Sequence, residues 1–201
     1  MVRAVLVRHG ETEQNARGIF QGYSLVPLSA RGRVQAVLVA ERLVSLRPQA
    51  LYSSDLRRAM ETADIISQHL GLTVQLCEGL REWNIGTWIG QSTAAYLAHL
   101  QAIGAHPVTY VPAGGESQLH TQARIVAQMQ ILVRRHSGET IVCISHGTAI
   151  DLLVRHILGL DVMQPPAFRI ANTSVNIFNF QNGACEVVTL NELRHLESLL
   201  P

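Results

Sequence analysis

The chain contains no lysine: all 16 of its fixed cations are arginine. This excludes Schiff-base chemistry and a phosphate loop built on a lysine ammonium. Any clamp for a phosphoryl group must use guanidinium, whose planar fork suits bidentate contact. With 15 acidic residues and a net charge of +1, the chain lacks the basic surface that nucleic acid or an anionic membrane requires. Cysteine is scarce as well. Cys77, Cys143 and Cys185 lie far apart with no Cys-x-x-Cys pair, which speaks for a reducing, cytoplasmic setting rather than a disulfide framework. No apolar run approaches the roughly 20 residues that span a bilayer, and the run after Arg3 is too short for a signal peptide.

What is present describes an ordered globular protein, with 47% hydrophobic and 15% charged residues over 201 positions, enough for one domain. Val2–Val7 reads as a buried strand, followed by a polar loop to Pro27. Ser29 is placed to cap an amphipathic helix reaching about Leu46. A short strand at Ala50–Ser53, a helix from about Leu56 to Leu70 and a strand at Val74–Leu76 follow. Helices are expected over 92–103 and from Glu116 to about Arg135, then a buried strand at Thr140–Ser145 and a helix to about Leu158. Val175–Phe180 and Glu186–Leu190 close the pattern as strands joined through Asn182-Gly183. Strands alternating with helices imply right-handed crossovers and a mostly parallel sheet covered on both faces. The expected fold is a single α/β domain over 1–201, a three-layer α/β/α sandwich with a small cap insertion at about 85–115.

Two apolar strands end in the same pair, His9-Gly10 and His146-Gly147. A third strand end gives Ser53-Ser54-Asp55-Leu56-Arg57-Arg58, and a further segment Leu80-Arg81-Glu82-Trp83. Ligands of open parallel sheets bind beyond the carboxyl ends of the strands, so these segments converge on one edge. Two imidazoles, arginines and a carboxyl in one pocket suit phosphoryl transfer through a phosphohistidine. A neutral imidazole attacks phosphorus, fixed arginines stabilise the charged oxygens without a metal, and a carboxylic acid protonates the leaving alkoxide.

Taken with Asn15, Gln21-Gly22, Pro27-Leu28-Ser29, Glu61-Thr62-Ala63, Gly86-x-Trp88-x-Gly90, Gly114-Gly115-Glu116-Ser117 and the Arg8–Thr12 run, the chain resembles the histidine phosphatase superfamily over nearly its whole length. That superfamily includes the cofactor-dependent phosphoglycerate mutases. The resemblance implies His9 as the phosphorylated nucleophile, Arg8, Arg58 and His146 around the phosphate, and Glu82 as proton donor. It places Asn15, Gln21, Gly22, Gly147 and Thr148 along the pocket. Where the family often has Asp and Glu, this chain has Leu25 and Ile89.

The cap separates two activities. Residues 82–123 contain no cation, and Tyr96, His99, His106 and Tyr110 are their polar and aromatic furniture. A phosphoglycerate or a priming bisphosphate carries negative charge beyond the reacting phosphate. A neutral cap therefore favours hydrolysis of a phosphomonoester over the mutase reaction, and Trp83 stands where the mutase branch typically has Arg. A phosphate-binding or interaction module without catalysis is the third reading, opposed by the presence of every catalytic group. The remaining histidines lack ligand spacing, so neither metal nor other cofactor is expected. The expected partners are a small-molecule phosphomonoester and at most a second copy of the chain as a homodimer, with Val175–Phe180 near an edge or interface. Glu116 and Arg124 are expected to be structural, and Trp83 and Trp88 are expected to pack rather than to stack on a ligand, with walling of the cleft as the alternative for Trp88.

Overall fold

The computed structural model describes residues 1–166 and 169–199. Its strands are β1 (Val2–Arg8), β2 (Ala50–Ser53), β3 (Val74–Leu76), β4 (Thr140–Ser145), β5 (Val175–Gln181) and β6 (Ala184–Glu192). Its helices are α1 (Glu13–Ala16), α2 (Ala30–Val44), α3 (Arg57–Leu70), α4 (Thr93–Ala102), α5 (Gln118–Arg135) and α6 (Gly147–Ile157). The strands form one sheet in the order β3-β2-β4-β1-β5-β6. Pairing is parallel from β3 to β1, while β5 runs antiparallel to both of its neighbours.

Continuous apolar strands are explained by cores on both faces. Ala4, Leu6, Ile141 and Cys143 point into one core, which Ile125, Met129 and Leu132 of α5 and Ile150 and Leu153 of α6 complete. Val5, Val7, Val142 and Ile144 point into the other, against Val39 and Leu43 of α2 and Ala59 and Ile66 of α3. Each fully buried Leu, Ile or Val side chain contributes roughly 1.5–3 kcal/mol of transfer free energy. The architecture is the three-layer α/β/α sandwich expected, with a mostly parallel sheet.

Local chemistry sets the element ends. Ser29 Oγ accepts from the Gly32 N–H at 3.0 Å to start α2, and Ser117 Oγ from the His120 N–H at 3.1 Å to start α5. Gly71 closes α3 in the left-handed region at φ 64°. Asn182 and Gly183 both take positive φ, 52° and 80°, as a tight two-residue hairpin demands. The loop expected up to Pro27 instead contains α1, held by reciprocal bonds between Thr12 and Asn15. Glu116 lies outside its helix rather than starting it, because Ser117 is the cap. Val175–Phe180, expected near an edge or interface, falls in β5, the second strand from one edge, with β6 paired along it as the edge strand.

Over the strand ends sits a small separate core of Trp83, Ile85, Tyr96 and Leu100, flanked by Phe20, Trp88 and Tyr110. Its rings meet edge to face, Tyr96 lying 5.2–5.6 Å from Phe20, Trp83 and Trp88. Backbone bonds from Phe20 to Gln91 and from Gly90 to Phe20 tie this cap to the loop after β1. No helix among the described residues is long and apolar enough to cross a membrane.

Candidate active site

Strand register builds the site. Arg8 of β1 pairs with Ser145 of β4, so the next residues, His9 and His146, leave neighbouring strands side by side. Their ring centroids are 5.1 Å apart. Ser53 of β2 pairs with Ile144, which delivers Ser54 and the start of α3 to the same edge.

His9 is buried and its two ring nitrogens are distinguished by their partners. Nδ1 lies 2.7 Å from the Gly10 carbonyl, which can only accept, so Nδ1 carries the proton. Nε2 faces the Arg58 Nε at 3.2 Å, which can only donate, so Nε2 presents a lone pair. Burial, then the Arg58 and Arg8 charges, hold this imidazole well below the usual histidine value, and it is neutral near pH 7. The backbone around it is held by several contacts. The Gly10 N–H donates to Thr62 Oγ1 at 3.0 Å, and Asn172 Nδ2 donates to the His9 carbonyl at 3.0 Å.

The arginines divide as helix geometry requires. Arg58, 1% exposed, points inward and donates to the Gly22 carbonyl at 3.0 Å and the Ser24 carbonyl at 3.4 Å. Arg57 turns outward onto Glu61. Arg8 donates from Nη1 to the Ile170 carbonyl at 2.6 Å and has an unpartnered, buried Nε among the described residues. It lies against Gly147, where an added Cβ would stand 3.4 Å from its Nε. Burial lowers both guanidiniums to about 10, which leaves them cationic at neutral pH.

Glu82 caps α6. Its Oε1 accepts from the Trp83 N–H at 2.8 Å and the Ala149 N–H at 3.2 Å, and its Oε2 from the Thr148 N–H at 3.2 Å. The helix N-terminus thus fixes the carboxyl beside the two arginines. Arg124 fixes the segment that carries it, donating to the carbonyls of Gly79, Arg81 and Glu82 and to the Glu116 carboxylate at 2.7–3.2 Å. Arg81 is spent on Asp55 and Glu78, not on Glu82.

Arg8, His9, Asn15, Gln21, Gly22, Arg58, Glu82, Gly147 and Thr148 all border one cavity of about 620 Å³. His146 stands behind His9, fully buried, with Nε2 2.8 Å from Ser54 Oγ and Nδ1 without a partner among the described residues. Of the cap residues, Tyr96 and His106 border the cavity. His99 and Tyr110 pack inside the cap's aromatic cluster, and Trp83 rather than Trp88 forms the cavity wall. Sequence reasoning gave no role to Ser54 and Thr62, which it quoted only within the Ser53–Arg58 and Glu61-Thr62-Ala63 runs, and it missed the supporting Asn172. It also missed Asp151, Arg155 and Arg169, which border the same cavity. The first two were detectable, since they repeat at helical spacing after Gly147.

Among curated proteins, the probable phosphoglycerate mutase GpmB of Salmonella paratyphi C is 32% identical over 98% of this chain and 96% of its own length. A mycobacterial glucosyl-3-phosphoglycerate phosphatase solved with VO3 is 32% identical, covers 95% of this chain and 99% of its own, and superposes with a TM-score of 0.84. A phosphoserine phosphatase from Entamoeba histolytica, in complex with 3-phosphoglyceric acid, is 30% identical over 98% of this chain and 100% of its own, with a TM-score of 0.85. The family model of the histidine phosphatase superfamily (branch 1) matches residues 4–193. With that match spanning nearly all of the sequence and the sheet edge built as described, the chain belongs to the histidine phosphatase superfamily.

Proposed function

We propose that the protein is a phosphomonoesterase that works without a metal through a phosphohistidine on His9. The observation that carries the reading is the state of that ring: a neutral imidazole with its proton on Nδ1 and its Nε2 lone pair beside Arg58. In the first step Nε2 bonds to phosphorus as the ester P–O bond breaks, and the departing alkoxide takes a proton from Glu82. In the second, water attacks phosphorus, Glu82 takes its proton, and the P–N bond breaks to release phosphate and restore His9. Arg8 and Arg58 neutralise the phosphoryl oxygens in both transition states. His146 packs against the nucleophile and completes the polar shell. Asn15, Gln21, Gly22, Gly147 and Thr148 border the bound group.

Hydrolysis is favoured over transfer to a second hydroxyl because residues 82–123 supply no cation to hold a phosphoglycerate or bisphosphate in place. The mutase reading has one observation in its favour, the name carried by the curated relatives. Phosphate release from p-nitrophenyl phosphate and both phosphoglycerates, with and without 2,3-bisphosphoglycerate, separates the two. Release that survives chelators and disappears in His9→Ala supports the phosphatase. Bisphosphate-dependent isomerisation with negligible release would overturn it, and strong inhibition by chelators would overturn the metal-free mechanism.

A further inference from the structure

Helix α6 runs away from the His9 end of the cavity and turns one stripe of residues toward it: Gly147 and Thr148, then Asp151, then Arg155. At about 5.4 Å per helical turn, Asp151 stands roughly one turn beyond the His9 end and Arg155 roughly two. The alcohol part of a phosphate ester would lie along this stripe.

Arg155 is not free to meet it. Its Nε is 3.0 Å from Asp151 Oδ2, and its Nη1 donates to the carbonyls of Val162 at 3.1 Å and Gln164 at 2.6 Å. Its side chain is 7% exposed. Asp151, by contrast, engages only one oxygen, and its Oδ1 has no partner among the described residues. Burial raises this carboxyl's pKa, with Arg155 opposing and Glu82 adding to the rise. The loop and cap bring Phe20, Tyr96, Leu97, His106 and Val108 to the same cavity, and residues 82–123 contain neither lysine nor arginine. Arg169, the other arginine on the wall, is exposed, and its charge is felt by Arg8.

We propose that Asp151 selects the alcohol, accepting a hydrogen bond from a leaving-group hydroxyl and repelling a carboxylate in the same place, so that the cavity prefers polyol phosphates to phosphoglycerates. The inference rests on the phosphatase reading only in taking the cavity to hold a phosphate ester. It sets this chain apart from relatives named for glucosyl-3-phosphoglycerate and phosphoserine, both of which bear a carboxylate. A hydroxyl satisfies the open oxygen, whereas a carboxylate meets a like charge in a part-buried site.

Glycerol 3-phosphate and 3-phosphoglycerate share a skeleton and differ in a hydroxymethyl against a carboxylate, which makes them the probes. Their Kd values are measured calorimetrically on His9→Ala, where nothing turns over, and normalised to that of inorganic phosphate. Binding of glycerol 3-phosphate about tenfold tighter is expected, narrowing toward parity in His9→Ala/Asp151→Asn, which keeps an acceptor for Arg155. Equal affinity of the two esters for His9→Ala overturns the proposal, even if the double variant does not fold. So does a ratio that Asp151→Asn leaves unchanged. Because binding is read without turnover, failure of the phosphatase assay and failure of this selection are separate results.

Discussion

His9 Nε2 and Arg58 Nε meet at 3.2 Å, with the guanidinium N–H directed at the ring's lone pair. Together with the Gly10 carbonyl on Nδ1, this contact fixes a single tautomer. In the proposed mechanism, the group that binds phosphoryl oxygens is thus the group touching the nucleophile. Arg58→Lys keeps the charge but loses the fork that reaches His9, Gly22 and Ser24. Its kcat/KM toward p-nitrophenyl phosphate should fall about 100-fold. Activity near the wild-type level would show that charge alone suffices there.

Glu82→Gln tests the proton donor. The amide preserves the shape of the cap on α6 but cannot protonate an alkoxide. Losses should be about 100-fold or more for alkyl phosphates and much smaller for activated phenyl phosphates, which leave without a proton. Parallel losses across leaving groups would assign Glu82 to structure.

Arg124 is expected to act through Glu82. Removing it leaves the carbonyls of Gly79, Arg81 and Glu82 and the Glu116 carboxylate without their shared donor. Arg124→Ala should cost about 1–3 kcal/mol of stability and reproduce part of the Glu82→Gln dependence on leaving group, while Arg124→Lys restores some of both. Destabilisation with an unchanged leaving-group dependence would limit Arg124 to folding.

Acid should destabilise the fold through its buried histidines. Burial first, then the Arg58 charge, hold His9 and His146 well below their ordinary value. The unfolded chain takes up protons on these rings as pH falls through about 6.5, while the folded protein keeps them neutral. Their contribution is therefore complete above about pH 6.5 and is lost below it, at roughly 1.4 kcal/mol per pH unit for each ring. Denaturant midpoints at about pH 7.5 and about pH 5.5 should differ accordingly, and less so in a His9→Asn/His146→Gln variant. Identical pH slopes in the two proteins would rule this linkage out.

Gly32 marks a crossing where the first turn of α2 lies on the loop after His9. A Cβ there would run into the Glu11 backbone, and one at Gly10 into the Gly32 carbonyl. Gly32→Ala should destabilise the protein by about 2–4 kcal/mol and displace the His9 loop. An unfolding midpoint equal to wild type would mean that the loop yields at little cost.

Much of this was legible in one dimension. Apolar runs at β1 and β4 announced strands buried on both faces, and Ser29 announced the start of α2. The paired His-Gly elbows marked the sheet edge. Arg58, which the resemblance placed at the phosphate, is the arginine of the Arg57-Arg58 pair that turns inward. What stayed hidden were contacts between segments distant in sequence. Thr62 beneath Gly10, Asn172 on the His9 carbonyl and Ser54 on His146 are ordinary polar residues until the chain folds. The charge argument shows the same boundary, since the cap lacks lysine and arginine as read but residues outside it bring Arg155 and Arg169 to the cavity.

The sequence by itself determined the chemistry on offer: arginine as the only fixed cation, two histidines at strand ends, and alternation that demands a covered, mostly parallel sheet. These are properties of residue type and period, which local physics can read. Tertiary structure alone decided which nitrogen of His9 is free, where Glu82 rests, and that Asp151 and Arg155 both border the cavity with the Arg155 guanidinium spent on Asp151 and two backbone carbonyls. Each of these depends on hydrogen-bond partners that only packing brings within 3 Å or so of one another.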